Sequence, residues 1–158
     1  MPNWCENTLT IKASTSNAMK DYNRLESLFK DSLKIDKDTG YVDNLFDSII
    51  PMPKELHNTE APKDKPNWYN WCIDNWGTKW DACDCFMYTE QYEEYNEIEF
   101  SFNTAWGPPI LWLEKVGKLF PNLLLWLYYD EPGMCFRGIA HGRGEIVDNY
   151  EEYEYESE

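Results

Sequence analysis

The sequence predicts an α+β fold, a two-layer sandwich in which helices cover one face of a mainly antiparallel sheet. Segments in which apolar and polar residues alternate, typical of half-buried strands, occur near both ends and in the middle of the chain. Other segments repeat apolar residues every three or four positions, which is typical of amphipathic helices. With a long insertion and one terminal strand set aside, the order of these segments is β-α-β-β-α-β, the split β-α-β arrangement.

The first predicted strand and helix occupy the N-terminal part of the chain. In ENTLTIKA, residues 6–13, Leu9 and Ile11 alternate with polar residues, which indicates a half-buried strand. Residues 14–33 begin with polar helix starters, and their apolar positions share one helical face: Met19, Tyr22, Leu25, Leu28, Phe29 and Leu33. Residues 34–66 show little periodicity, and we predict a helical insertion that packs back through Phe46, Ile49 and Ile50.

The second half of the chain predicts two further helices and four strands. KPNWYNWCIDNWGTKW is predicted as a helix that is entered at Pro66 and ends at Gly77. DACDCFMYTE and NEIEFSFNT are predicted strands joined by the charged hairpin EQYEEYN. GPPILWLEKVGKLFP is a predicted amphipathic helix, and NLLLWLYYDEPGMCFRGIAHGRGE predicts two strands about a DEPG turn. The domain is predicted to span residues 1–148, followed by a flexible acidic Tyr/Glu-rich tail at 149–158.

The formal charge constrains the partner most strongly. The chain has 29 acidic and 14 basic residues, a net charge of -15. Such a field disfavours direct binding to nucleic acid phosphates and to an anionic membrane surface. We therefore expect a basic protein or ribonucleoprotein as partner. We expect no direct binding to nucleic acid and no binding to a membrane. Acidity that only keeps the chain soluble is the simpler explanation.

Targeting features and cysteine usage predict the compartment. The N-terminus lacks a basic region followed by an apolar run, and no segment approaches the roughly 18 apolar residues of a membrane span. The five cysteines are an odd number without the spacing of a disulfide framework. Reduced thiols fit a cytoplasmic protein, and we expect the host cell cytoplasm.

Neither metal binding nor catalysis is predicted. The potential zinc ligands lack C-x-x-C spacing, and buried cysteines often pack as small apolar residues; these ligands are His57, Cys72, Cys83 and Cys85. A nucleophile needs a positioned base, and no pattern brings Cys135 and His141 together. We predict no metal, no cofactor, no catalytic residues and no enzymatic activity.

Five motifs spread over residues 1 to about 140 carry a family resemblance: MPNWCENTLTI, IIPMPKEL, NWGTKWD, FNTAWGPP and LFPNLLLWLYYDEPG. In combination they resemble a phage and plasmid family known as YubB-like or Api-like proteins. The resemblance implies a ferredoxin-like domain and an origin on a mobile genetic element. It supplies no catalytic residue, and the acidic tail lies outside it.

The motifs NWGTKWD and FNTAWGPP concentrate aromatic and polar side chains that predict either an aromatic pocket or a structural corner: Trp76, Gly77, Thr78, Lys79, Trp80, Thr104 and Trp106. Lys79 stands between two tryptophans, which suits a cation–π contact or neutralisation of Asp81 and Asp84. A pocket here would suit a flat ligand such as a nucleobase. A structural corner, with Gly77 permitting a close turn, is the simpler and favoured interpretation.

Carboxylates interleaved with tyrosines are the remaining candidates. The acids predicted to bind the partner are Glu90, Glu93, Glu94, Glu97, Glu99, Asp130, Glu131, Asp148, Glu151, Glu152 and Glu154. A groove built for nucleic acid phosphates can receive closely spaced anions, and tyrosine rings can stack against arginine.

Three function hypotheses follow from these features. The leading one is a non-enzymatic phage or plasmid inhibitor that blocks the basic nucleic-acid-binding channel of a host defence complex, a CRISPR effector or restriction enzyme, by DNA mimicry. The second is a protein that binds or sequesters a nucleotide in the aromatic pocket. The third is a phage scaffold or interaction protein that docks through its tail.

Overall fold

The computed structural model describes residues 2–154 of the chain. In that range the strands are β1 (Trp4–Ala13), β2 (Cys83–Gln91), β3 (Asn96–Ala105), β4 (Leu124–Glu131), β5 (Phe136–Arg143) and β6 (Glu145–Glu152). The helices are α1 (Ser16–Ser32), α2 (Leu45–Ile49), α3 (Trp68–Asn75) and α4 (Ile110–Leu119), with a single 3-10 turn at Lys54–Leu56. None of these helices has the length and hydropathy that crossing a membrane requires.

The strands form one antiparallel sheet in the order β2-β3-β1-β4-β5-β6. β1 lies inside the sheet, between β3 and β4. α1 and the insertion lead from β1 to the β2–β3 hairpin, and α4 leads from β3 to β4. The first four strands therefore have the predicted split β-α-β order, and the α+β prediction is confirmed.

The apolar core lies between the sheet and its helices. In β1, Leu9 and Ile11 are inaccessible to solvent, as the two-residue period of a half-buried strand requires. α1 adds Leu25 from the face predicted for it. This helix begins after Thr15, whose side-chain oxygen accepts the backbone N–H of Ala18 at 3.1 Å, a typical N-cap.

The insertion contributes to the same core, as predicted. Phe46 of α2 is fully buried, and its ring centroid lies 4.7 Å from that of Trp112 and 5.6 Å from that of Phe102. Ile49 is buried and Ile50 is partly buried against the cluster. These contacts fix the insertion to α4 and β3.

α3 confirms the helix predicted within KPNWYNWCIDNWGTKW, with a different start. The side-chain oxygen of Asn67 accepts the backbone N–H of Asn70 at 2.9 Å, so Asn67 is the N-cap and Pro66 lies outside the helix. Gly77 has a φ of +81°, a conformation that favours glycine and allows the chain to turn after the helix.

The prediction of a flexible tail is wrong for residues 149–152, because these residues belong to β6 and pair with β5. The turn between the two strands uses Gly144, with a φ of +78°. Gly117 of α4 lets this turn approach the helix, since a Cβ built there would lie 2.4 Å from the carbonyl oxygen of Gly144. The last part of the predicted tail, residues 155–158, lies outside the described residues.

Candidate functional site

One face of the sheet is covered by helices, and we call the other the open face. One row of the open face crosses the strands in register: Tyr88, Glu99, Thr10, Trp126, His141 and Val147. Trp126 is 38% exposed, and its ring stacks on that of His141 with 4.7 Å between centroids. Tyr128, beside this row on β4, is 55% exposed. Contiguous exposed aromatic surface is typical of interaction sites.

Sequence reasoning did not assign this aromatic surface to a site. The alternation in NLLLWLYY places Leu125 and Leu127 in the core and Trp126 and Tyr128 on the opposite side. That signal was present in the sequence. Its meaning depends on whether a helix covers the second face, which the alternation does not specify.

The β2–β3 hairpin carries a group that we call the hairpin acids: Glu90, Glu93, Glu94, Glu97 and Glu99. Glu90 and Glu97 are direct cross-strand partners, and like charges so placed destabilise a sheet. Lys12 is the register partner of Glu97 on β1, but its ammonium lies 3.9 Å over the Tyr95 ring. Among residues 2–154, no carboxylate lies within 4.0 Å of this ammonium. No other lysine or arginine nitrogen of the described chain lies within 4.0 Å of a hairpin acid either, so these five carboxylates lack a close cation there.

Tyrosines of the hairpin are part of the same charged environment. The Tyr92 hydroxyl donates a short hydrogen bond to Glu90, and this bond raises the pKa of Tyr92 to about 12. The Tyr92 and Tyr95 rings stack with 4.4 Å between centroids. Tyr92 therefore stays neutral at physiological pH, and the two stacked rings lie beside the carboxylates of the hairpin.

The other predicted acids lie around β6 and the turn after β4, and several bind groups of the chain itself. Asp148 accepts the Tyr129 hydroxyl at 2.6 Å. Burial, and secondly this hydrogen bond, raise the pKa of Tyr129. The remaining contacts join Tyr153 to Asp130 at 2.5 Å, Arg137 to Glu151 at 3.5 Å and Tyr150 to Glu152 at 3.2 Å, while Glu154 is exposed.

Glu131 does not belong to the partner-binding acids, which corrects the prediction. Its side chain is fully buried, and its two carboxylate oxygens accept the backbone N–H groups of Gly133 at 3.0 Å and Met134 at 2.6 Å. Glu131 thus fixes the β4–β5 turn, and a partner could reach it only by unfolding that turn.

The predicted acids form two separate groups. β2 and β6 are the opposite edges of the sheet, and five interstrand steps of about 4.8 Å separate such edges by about 24 Å. The hairpin acids occupy one edge, and the acids of β6 occupy the other. Arg137 lies beside Glu151 of the β6 group, whereas no described lysine or arginine nitrogen lies within 4.0 Å of a hairpin acid, so the hairpin acids are the better candidates for an external cation.

The aromatic corner is partly structural. Trp76 is buried and donates its indole N–H to the carbonyl of Ile50 at 3.0 Å. Thr78 is buried and donates to the carbonyl of Trp80 at 2.8 Å. Thr104 is buried within the sheet, where it accepts the Asn7 side-chain amide at 2.9 Å.

The structure does not bring all the predicted corner residues together. Trp76, Lys79 and Trp80 line a cleft of about 330 Å³, whereas Thr104 and Trp106 are absent from its lining. Trp106 is 55% exposed and has a φ of +72°; its backbone N–H is bound to the carbonyl of Asn3. The cleft is instead completed by residues of the insertion, among them Met52 and His57.

Asp81 joins the cleft to the insertion. Its carboxylate accepts three backbone N–H groups: that of Phe46 at 2.7 Å, that of Asp47 at 3.0 Å and that of Ala82 at 2.7 Å. Burial raises the pKa of Asp81 to about 6 despite these hydrogen bonds. Asp81 therefore holds the start of α2 against the segment that carries Lys79 and Trp80.

The cysteines are arranged for packing. Burial raises the pKa values of Cys72 and Cys85 to about 12, so both thiols are protonated at neutral pH and are poor nucleophiles. Within residues 2–154, no three His, Cys, Asp or Glu side chains are grouped closely enough to hold a metal ion. Cys135 precedes β5 and His141 lies near its far end, about 20 Å along an extended strand.

This sheet order, with crossover helices on one face, defines the chain as a ferredoxin-like α+β domain extended by two strands. A family model described as "Ferredoxin-like domain in Api92-like protein" matches residues 75–158. The chain belongs to this family, and the resemblance to Api-like proteins is confirmed.

A solved structure has the same overall fold. The crystal structure of a protein api92 from Yersinia pseudotuberculosis is similar over 99% of this chain and 100% of its own, with a TM-score of 0.56 and 11% sequence identity. At that identity the likeness describes the fold alone. No curated protein matches the sequence.

Proposed function

We propose that this chain is a non-enzymatic inhibitor that places the hairpin acids in the basic nucleic-acid-binding channel of a host defence complex, a CRISPR effector or a restriction enzyme. The single observation that carries the proposal is the density of carboxylates at residues 90–99, which lack a close cation within the described chain. An origin on a phage or plasmid, and action in the host cytoplasm, are parts of the same proposal.

The geometry of the hairpin supports a partner with closely spaced cations. Directly opposed residues such as Glu90 and Glu97 have Cβ atoms about 5 Å apart. Glu97 and Glu99 lie on the same face of β3, about 7 Å apart along the strand. Duplex DNA presents one charge per roughly 1.7 Å of its axis, so a channel that binds DNA carries cations dense enough to engage these carboxylates.

The aromatic part of the open face supports a protein partner. Trp126 and Tyr128 are exposed and offer planar surfaces on which arginine side chains stack. Arginine is abundant in nucleic-acid-binding channels because its guanidinium binds phosphates. A basic channel could therefore contact both the hairpin acids and the neighbouring rings.

An interference assay in cells tests this function. Bacteria with an active CRISPR or restriction system would express the wild-type chain, and the plating efficiency of a targeted phage would be measured. We expect the wild type to raise plating efficiency in at least one system. The variant E90Q/E93Q/E94Q/E97Q/E99Q, which keeps side-chain shape, should lose most of this effect.

A matched variant controls for net charge. E26Q/D31N/D38N/E55Q/D74N removes the same number of charges from exposed positions outside the hairpin. It should retain the protective effect. Equal loss in both variants, or no protection by the wild type in any nucleic-acid-dependent system, would contradict the proposal.

A further inference from the structure

The cleft beside α3 contains an unusual cation. The Lys79 ammonium lies 4.4 Å from the centroid of the Trp80 ring and 6.0 Å from that of Tyr69. Within residues 2–154, no carboxylate lies within 4.0 Å of it, although the chain has 29 acids and 14 bases. Lys79 is half-buried, so its charge lies against aromatic rings and is only partly hydrated.

The carboxylates that share the cleft are engaged elsewhere. Asp81 accepts three backbone N–H groups, and Asp47 accepts that of Met52 at 2.9 Å. His57 also lines the cleft, and its imidazole makes no hydrogen bond in the described part of the chain. Lys79 and His57 are the basic side chains of the cleft lining, and neither is bound to a carboxylate in the described part of the chain, so both can donate hydrogen bonds to an anion.

The remaining walls suit a flat ring. Trp68 and Trp80 line the cleft, which has a volume of about 330 Å³. A second hollow of about 340 Å³, lined by Trp68, Tyr69 and Lys79, adjoins it. Small-molecule sites have volumes of about 300 to 1,000 Å³ and combine apolar walls with a few polar groups.

From this geometry we infer that the cleft binds a small planar anion, a ring that stacks on the tryptophans and carries a phosphate or carboxylate that Lys79 binds. A nucleoside monophosphate and an aromatic carboxylate share this chemistry. The site is separate from the hairpin acids and does not depend on the proposed inhibitory function.

Isothermal titration calorimetry on the full chain tests the site with four probes: adenosine 5′-monophosphate, indole-3-carboxylate, adenosine and inorganic phosphate. We expect at least one ring-bearing anion to bind, with adenosine and phosphate each at least about tenfold weaker. The tighter of the two ring-bearing anions then shows whether the ligand is a nucleotide or an aromatic carboxylate. Absence of binding tighter than about 1 mM for both ring-bearing anions would overturn the inference. Binding of adenosine or of inorganic phosphate as tightly as the ring-bearing anions would also overturn it.

Variants locate the site. K79M should weaken binding at least about tenfold. K79R, which keeps the charge, should restore most of the affinity, and circular dichroism would verify that both variants fold. The matched control K37M removes a lysine from an exposed loop position and should bind like the wild type. Equal affinities of K79M and K37M would overturn the assignment to this cleft.

Discussion

At the scale of single residues, Gly117 shows how a missing side chain shapes the domain. Glycine within a helix ordinarily costs about 1 kcal/mol relative to alanine. Gly117 lies in α4, where a Cβ would meet the carbonyl oxygen of Gly144 at 2.4 Å. The helix therefore accepts a poor helix former because the turn before β6 needs the space.

We predict that G117A lowers the free energy of unfolding by about 1 to 3 kcal/mol, the usual cost of overpacking. Urea denaturation monitored by circular dichroism would measure the change. G107A is the control, because a Cβ at Gly107 would meet nothing within 4 Å. A stability gain for G117A would mean that α4 and the turn do not approach as described.

Asp81 predicts a pH dependence of stability. Its pKa is about 6 in the folded chain, against an ordinary value of 3.8. Because the folded state holds this proton more tightly, the contribution of Asp81 to stability falls as pH rises from about 4 to about 6. Each pKa unit corresponds to about 1.4 kcal/mol, so the full change is on the order of 3 kcal/mol.

The comparison with D81N isolates this titration. Between about pH 5 and pH 7 the wild type should lose about 1 kcal/mol relative to D81N. Chemical denaturation at several pH values measures both free energies of unfolding. A difference between the two proteins that stays constant over this range would rule out the raised pKa.

At the scale of elements, periodicity predicted β1, α1 and α4 well, because each has one apolar face that packs on one core. β6 escaped prediction because seven of its eight residues are exposed and five of them are acidic or amide side chains, which leaves no alternation of apolar and polar positions. Its pairing depends on backbone hydrogen bonds to β5 and on the close approach of the turn to Gly117. An edge strand that is exposed on both faces does not show the alternating hydropathy by which a half-buried strand is predicted.

The like charges of the β2–β3 hairpin should lower the free energy of unfolding. E90Q removes one of two directly opposed carboxylates and should raise the free energy of unfolding by about 0.2 to 1 kcal/mol at low salt. Glu99 faces Tyr88 and Thr10 in register, so E99Q is the control and should gain less. Added salt should reduce the difference between the two variants. Equal gains in both would indicate a general charge effect.

At the scale of the whole molecule, the net charge of -15 led to the prediction of a basic partner, but composition did not locate the site. The sequence identified the hairpin acids and the Lys79–Trp80 motif. It could not separate the acids of β2–β3 from those of β6, because that separation arises from the sheet order. Glu131 was misassigned because a buried carboxylate that binds a turn has the same sequence appearance as an exposed one.

The proposed function requires that the hairpin acids compete with nucleic acid for a basic channel. The most direct measurement is DNA binding by a purified CRISPR effector or restriction enzyme, titrated with this chain at several salt concentrations. We predict that the chain displaces DNA and that added salt weakens binding of the chain to the enzyme. The variant E90Q/E93Q/E94Q/E97Q/E99Q should fail to displace DNA, whereas the matched control E26Q/D31N/D38N/E55Q/D74N should displace it. Undisturbed DNA binding across such enzymes, or displacement that is insensitive to salt, would contradict the proposed function.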